Sequence, residues 1–165
     1  MAGQISVLIL MGSDSDAPVM QGAVDILREL GIGCEMTVAS AHRSPDRVMR
    51  LVGDAPGRGV RVFIVGAGAA AHLAGVVAAH TTMPVIGVPI DSSALKGLDA
   101  LLSTVQMPPG VPVATVSIGK PGATNAGVLA AQILALSDNA VAGRLADYKK
   151  KLAEKVEQAA ARLQS

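Results

Sequence analysis

Three stretches of the chain gather the residue types that proton transfer and anion binding require. They are Gly12-Ser13-Asp14-Ser15-Asp16, Ser40-Ala41-His42-Arg43-Ser44 and Gly66-Ala67-Gly68-Ala69-Ala70-Ala71-His72. An imidazole such as that of His42 takes and gives protons near neutral pH. The guanidinium of Arg43 beside it has the planar fork that clamps a phosphate or a carboxylate. The first stretch sets serine hydroxyls and backbone N–H groups ahead of a helical pattern, which suits an anion or a ribose phosphate. A plain capped turn would use the same residues. The third stretch is all small side chains, so a ligand can approach its backbone closely. His72 is either a second polar group over the same pocket or the satisfied start of a helix. His80, at a helix end beside Thr81-Thr82, reads as structural.

Several chemistries are excluded. Gly66, Gly68 and Ala71 match a G-x-G-x-x-A pattern, but it follows the third strand, and its one downstream acid, Asp91, comes after Pro89. A dinucleotide fingerprint belongs to the first strand of such a fold. No Cys/His or carboxylate cluster has metal-ligand spacing, and no phosphate-binding G-x-x-x-x-G-K-[ST] loop occurs. The lone Cys34 forbids an internal disulfide and reads as a small buried residue opening an apolar strand. One Phe, one Tyr and no Trp leave little aromatic surface for a flavin or for stacked bases. The net charge is +1, and the Lys149-Lys150-Lys151 run lies in a charged helix, so a solvated face is expected there rather than nucleic-acid binding. The start, Met1-Ala2-Gly3-Gln4, lacks a basic leader, and no stretch approaches the roughly 18 uninterrupted apolar residues of a membrane span. A soluble, cytoplasmic protein is expected.

The elements that must position these residues alternate along the 165-residue chain. Short apolar runs at 5–11, 34–39, 60–65, 84–88 and 113–118 predict five strands. Helical patterns fall at 18–30, 45–55, 70–80, 95–102 and 122–136, with Asp16 and Ser44 as expected N-caps of the first two. Near-continuous apolar strands separated by helices predict an α/β three-layer sandwich with a parallel sheet covered on both faces. The expected architecture is one flavodoxin-like domain over residues 1–165, doubly wound in the order 2-1-3-4-5. Ligands in such sheets bind beyond the carboxyl ends of the strands, and the three polar or glycine-rich stretches follow strands 1, 2 and 3. A further helix over about 140–163 carries the stripe Val141, Leu145, Tyr148, Leu152, Val156, Ala159 and Leu163. Both sheet faces already have helices, so a neighbouring subunit is the expected surface for it, with its own domain as the alternative.

Six segments together resemble the class I N5-carboxyaminoimidazole ribonucleotide mutases of the aminoimidazole ribonucleotide carboxylase family. They are MGSDSD (11–16), SAHRSPD (40–46), GAGAAAHLAGVVAA (66–79), PVIGVP (84–89), VQMPPGVPVATV (105–116) and GATNAGVLAAQIL (122–134). They run in order over nearly the whole chain. The resemblance implies an octamer with active sites at subunit contacts, a ribonucleotide substrate and no cofactor. By the same resemblance His42 is the acid/base residue. Ser13, Asp16, Ser40, Ala41, Arg43, Gly68, Ala69, Ala70, His72, Leu73 and Met107 form the substrate-binding set. Pro109 stands where some relatives carry Gly or Arg, so no contact is carried over there.

The implied reaction moves a carboxylate from nitrogen to ring carbon by loss and recapture of carbon dioxide, which needs a dry pocket with small walls. An ATP-dependent synthetase that makes the carbamate is the implied functional link. Two alternatives stand beside this reading. One is a class II carboxylase using free carbon dioxide, against which Arg43-Ser44-Pro45 speaks because those relatives carry Lys after the His. The other is a non-catalytic, flavodoxin-like nucleotide-binding module, which leaves the His42–Arg43 pair without a role.

Overall fold

A computed structural model describes residues 5–163. Five strands, β1 (Val7–Met11), β2 (Cys34–Val38), β3 (Val62–Gly68), β4 (Val85–Ile90) and β5 (Ala114–Thr115), form one sheet in the order β2-β1-β3-β4-β5. Every pairing is parallel. This is the order expected of a doubly wound sheet.

Alternation along the strands explains the three layers. Val7, Ile9 and Met11 point to one face, where α1 (Ala17–Glu29) and α5 (Gly119–Ala135) cover them. Leu8 and Leu10 point to the other, under α2 (Pro45–Asp54), α3 (Leu73–Ala79) and α4 (Leu98–Val105). Helix α6 (Asn139–Leu163) follows. The expectation that this helix packs on a neighbour is corrected for its first turns. Val141 is buried in the first core, and Leu145 and Tyr148 pack against it. From Leu152 onward the described residues of the stripe are exposed.

Several boundaries differ from the sequence expectation. The Gly66-Ala67-Gly68 stretch is the end of β3, paired with Val88, Pro89 and Ile90, and not a loop. Its glycines serve packing: a Cβ on Gly66 would stand 2.4 Å from Met20 Sδ. Pro89 does not interrupt β4. The bond from Phe63 N–H to Pro84 O and that from Val116 N–H to Gly87 O show that even-numbered residues of β4 face β3 and odd-numbered ones face β5. The missing N–H of Pro89 therefore points toward β5. The next rung there would need that donor, so β5 ends after two residues instead of running over 113–118.

Helix α4 starts three residues later than expected because Lys96 and Gly97 adopt left-handed backbone, at φ 51° and 84°. Helix α3 starts at Leu73, after Ala69 at φ 50°. Cys34 is half-buried, as an edge strand allows, and burial pushes its thiol pKa upward.

Small residues bring α1 and α5 close together. A Cβ on Gly127 would lie 2.2 Å from Ile26 Cγ2 and 3.1 Å from Ala23 O. Gly127→Ala is therefore expected to lower stability by about 1–3 kcal/mol through overpacking, although alanine is the better helix former. Urea titration monitored by circular dichroism checks this. An unchanged or raised midpoint would mean that the two helices separate freely.

Candidate active site

The carboxyl ends of β1 and β2 stand level, because Met11 pairs with Val38, while β3 pairs with Met11 through Gly66 and runs two residues further to Gly68. The ladder runs one rung further on each side, through Ala39 N–H to Met11 O and Gly12 N–H to Gly66 O. Chain segments leaving these ends enclose a cavity of about 330 Å³.

The first loop contributes Gly12, Ser13, Ser15 and Asp16. It is organised by its own side chains. Ser13 Oγ accepts from Ser15 N–H at 3.3 Å and from Ser15 Oγ at 2.9 Å. Asp16 Oδ2 accepts from Ser13 N–H at 3.2 Å, closing a capping box around the short 3₁₀ turn Asp14–Asp16. Asp16 therefore does not cap α1, as the sequence suggested. Its carboxylate turns back instead and is buried, at 6% exposure. Burial is the main influence on it and raises its pKa, the Ser13 N–H opposes that, and Asp14 adds a smaller upward push.

The second loop contributes Ser40, Ala41, His42 and Arg43. Ser44 occupies the N-cap position of α2 without capping it, and its Oγ donates back to Ser40 O at 3.3 Å. Ser40 Oγ accepts from Arg43 N–H at 3.2 Å and lies 3.5 Å from Arg43 Nε. Arg43 Nη2 reaches across to Gly12 O at 3.3 Å and ties the second loop to the first. Arg43 also borders an adjoining cavity of about 630 Å³ that shares Gly12, Ser13 and Ser40 and adds Arg47. Arg47 itself is bound to Val38 O at 2.8 Å and Thr37 Oγ1 at 3.0 Å.

From β3 and the segment after it come Ala67, Gly68, Ala70, His72 and Leu73. His42 Nε2 meets His72 Nδ1 at 2.8 Å, and His72 answers to both of its readings: its ring stands over the pocket, and its backbone opens α3 at the N-cap position without a side-chain cap. Ala69 lies within this segment, in left-handed backbone, and does not border the cavity. Met107 does not border it either within one chain; its sulfur lies 3.2 Å from the place a Cβ on Gly75 would take. His80 is bound to Val76 O at 2.8 Å through Nδ1, away from the cavity.

One lining residue has no counterpart among the sequence candidates. Ser92, just beyond β4, faces Gly68 so closely that a Cβ there would fall 1.8 Å from its Oγ. The signal that could have found it is positional, since it follows a fourth strand end in the same parallel sheet. Among the described residues no group of three or more His, Cys, Asp or Glu side chains is arranged to hold a metal ion. The assembled groups can bind an anion, orient a polar ring and move one proton.

The burial of Asp16 has a thermodynamic consequence. A carboxyl whose pKa is raised on folding lowers stability above that pKa, and the penalty fades as pH falls and the native state takes up the proton. Asp16→Asn is expected to melt at a higher temperature than wild type at neutral pH, with the gap closing in acid. Thermal melts across pH check this. A lower melting temperature for the variant at neutral pH would show that the charge-assisted bond from Ser13 N–H outweighs desolvation.

The comparisons with known proteins agree with one another. The family model described as AIR carboxylase matches residues 6–155. A Thermotoga maritima protein named N5-carboxyaminoimidazole ribonucleotide mutase is 53% identical over 156 residues, 94% of this chain and 90% of its own length. A Bacillus subtilis protein of the same name is 58% identical over 137 residues, 83% of this chain and 85% of its own. The crystal structure of Treponema denticola PurE superposes with a TM-score of 0.86 at 29% identity, covering 96% of this chain and 98% of that one. Match length, identity and fold lead to the same assignment: the chain belongs to the AIR carboxylase family.

Proposed function

We propose that this chain is a class I N5-carboxyaminoimidazole ribonucleotide mutase, an isomerase that moves the carboxylate of its substrate from the exocyclic nitrogen to ring carbon C4 in purine biosynthesis. The observation that carries this reading is the convergence of an imidazole, a guanidinium and serine hydroxyls over one cavity, in a chain whose relatives bear that name. Arg43 and the Ser13–Asp16 loop hold the ribose phosphate and the ring, which provides orientation. The two adjoining cavities that meet at Arg43 give an elongated nucleotide room on both sides of that guanidinium.

The carbamate C–N bond breaks first, leaving carbon dioxide and an electron-rich aminoimidazole. Small walls at Ala67, Gly68 and Ala70 keep the gas beside the ring. C4 then attacks its carbon, and the proton on C4 leaves to His42. The nitrogen that lost the carboxylate needs one proton and C4 releases one, so a single base closes the cycle. A carbamate that loses carbon dioxide so readily must be supplied by an ATP-dependent carbamate-forming enzyme. Arg43-Ser44-Pro45 favours the carbamate over free carbon dioxide as substrate.

The reading extends to a cytoplasmic octamer with sites at subunit contacts. Two apolar stripes support assembly: Leu95, Leu98, Leu102 and Val105 on and before α4, and Leu152, Val156 and Leu163 on α6 are all exposed in one chain. Among the described residues no helix is long and apolar enough to cross a membrane.

The deciding assay supplies the carbamate nucleotide without ATP, metal or added bicarbonate, and product is expected. Product only with dissolved carbon dioxide and the uncarboxylated nucleotide would favour the class II reaction. His42→Asn keeps the size of the side chain but cannot carry the proton, so kcat should fall ~10²–10⁴-fold while nucleotide binding survives. Arg43→Ala should lose about 2 kcal/mol or more in kcat/KM, and Lys should rescue only part of it, lacking the fork. Near wild-type turnover of either variant removes that residue from its role. Multi-angle light scattering at micromolar concentration should give an octamer mass, and a monomer would overturn the assembly.

A further inference from the structure

The His42 and His72 side chains do no structural work that the fold needs. Both are exposed, and among the described residues their mutual contact is the one hydrogen bond that either ring makes. His42 Nε2 and His72 Nδ1 are 2.8 Å apart, with the rings edge to face at 86° and centroids 4.9 Å apart. One proton and one lone pair meet there. Two accessible imidazole nitrogens at that distance are also the two arms of a chelate. Imidazole is a preferred ligand for Zn²⁺, Cu²⁺ and Ni²⁺. With Zn–N bonds of about 2.0–2.1 Å, two ligand nitrogens lie about 2.9 Å apart at a right angle and about 3.3 Å apart at the tetrahedral angle. The facing nitrogens need only part by a few tenths of an ångström and turn their lone pairs toward a common point.

We infer that the His42–His72 pair binds one divalent transition-metal ion, Zn²⁺ or Cu²⁺, and that the bound ion stops turnover. The remaining coordination positions are filled by water, since no third His, Cys, Asp or Glu joins the pair among the described residues. The proton count closes simply. When both rings are neutral, the proton on the facing nitrogen moves through solvent to the far nitrogen of the same ring, and both facing lone pairs go to the metal. When the pair carries one extra proton, that proton is released. Hard cations such as Mg²⁺ and Ca²⁺ prefer oxygen donors and do not compete. The inhibitory half of the inference rests on the role proposed for His42, because an ion on Nε2 pins the ring and takes its lone pair. The binding half does not depend on it.

The test uses EDTA-stripped, full-length protein. Calorimetry with ZnCl₂ or CuCl₂ should show one ion per chain with micromolar affinity and no heat with MgCl₂. The Cu²⁺ complex should give an electron paramagnetic resonance spectrum with coupling to two imidazole nitrogens. His42→Asn and His72→Asn should each weaken binding about tenfold or more. His80→Asn, which alters the third histidine of the chain, should leave it unchanged. Turnover should fall over the same ion concentrations and return with EDTA. No saturable site below the millimolar range, or wild-type affinity in His72→Asn, overturns the site. Binding without loss of turnover overturns the switch. If the chain shows no mutase activity at all, the function proposed above fails, and calorimetry still decides the metal site.

Discussion

A strand hydrogen-bonded along both edges can neither slide nor turn, and β1 is held in that way between β2 and β3 over its whole length. A shift of one residue would send Leu8 and Leu10 into the face now filled by Val7, Ile9 and Met11. Both faces are dry, so the register is fixed from two sides at once. Its functional result is that the chain leaves β1 and β2 at one level, beside the last residues of β3. The connection after β1 goes to α1 on one face, and those after β2 and β3 go to α2 and α3 on the other. A cleft opens where the connections part, as it does in open parallel sheets generally. His42, Arg43, Ser13 and His72 meet because that cleft exists.

The unusual composition serves the same frame. With one Phe, one Tyr and no Trp, the layers come together through glycine and alanine. Gly66 lies under Met20, and a Cβ on Gly87 would strike Thr104 Cγ2 at 2.4 Å. A Cβ on Gly122 would fall 1.6 Å from Ser117 O, a backbone atom that cannot step aside cheaply. Gly68 carries the same economy into the site, where its bare Cα lets Ser92 close the cavity wall. Packing density inside such a fold leaves little slack, so the positions of the cavity walls follow from those of the strands.

The sheet order, the layers and the three loops were legible from periodicity, since continuous apolar runs between helical patterns allow few other arrangements. The ends of elements were not. Glycines after β3 read as a turn, yet pairing to β4 carries the strand through them to Gly68. Pro89 read as a break, yet β4 runs through it, because its missing N–H points toward β5 and costs a rung there while the pairing with β3 continues. Asp16 and Ser44 read as forward caps, yet both turn back to the preceding loop, a choice between neighbours that propensity does not decide. The 2.8 Å contact of His42 with His72 joins residues 30 apart in sequence, and no local pattern announces it. The amphipathic stripe of α6 was visible, but its division into a half that packs at home and a half that does not depends on where the body of the domain ends.

The site combines a firm platform with a loosely held clamp. The first loop is satisfied internally, with Ser13, Ser15 and Asp16 bonded to one another and to the local backbone. Arg43 is held by contacts at 3.3 and 3.5 Å, long for a guanidinium, which can make five directed bonds. A cation with spare donors over a cleft gains most from an anionic ligand, and that gain is available for orienting the rest of the substrate. The buried Asp16 carboxylate is pulled two ways, its pKa raised chiefly by burial and opposed by the Ser13 N–H that holds it in place. A frame pinned by β1 can carry such a residue, because the stabilising contacts lie in the sheet and the two cores, while the costs are confined to the strand ends where ligand meets protein.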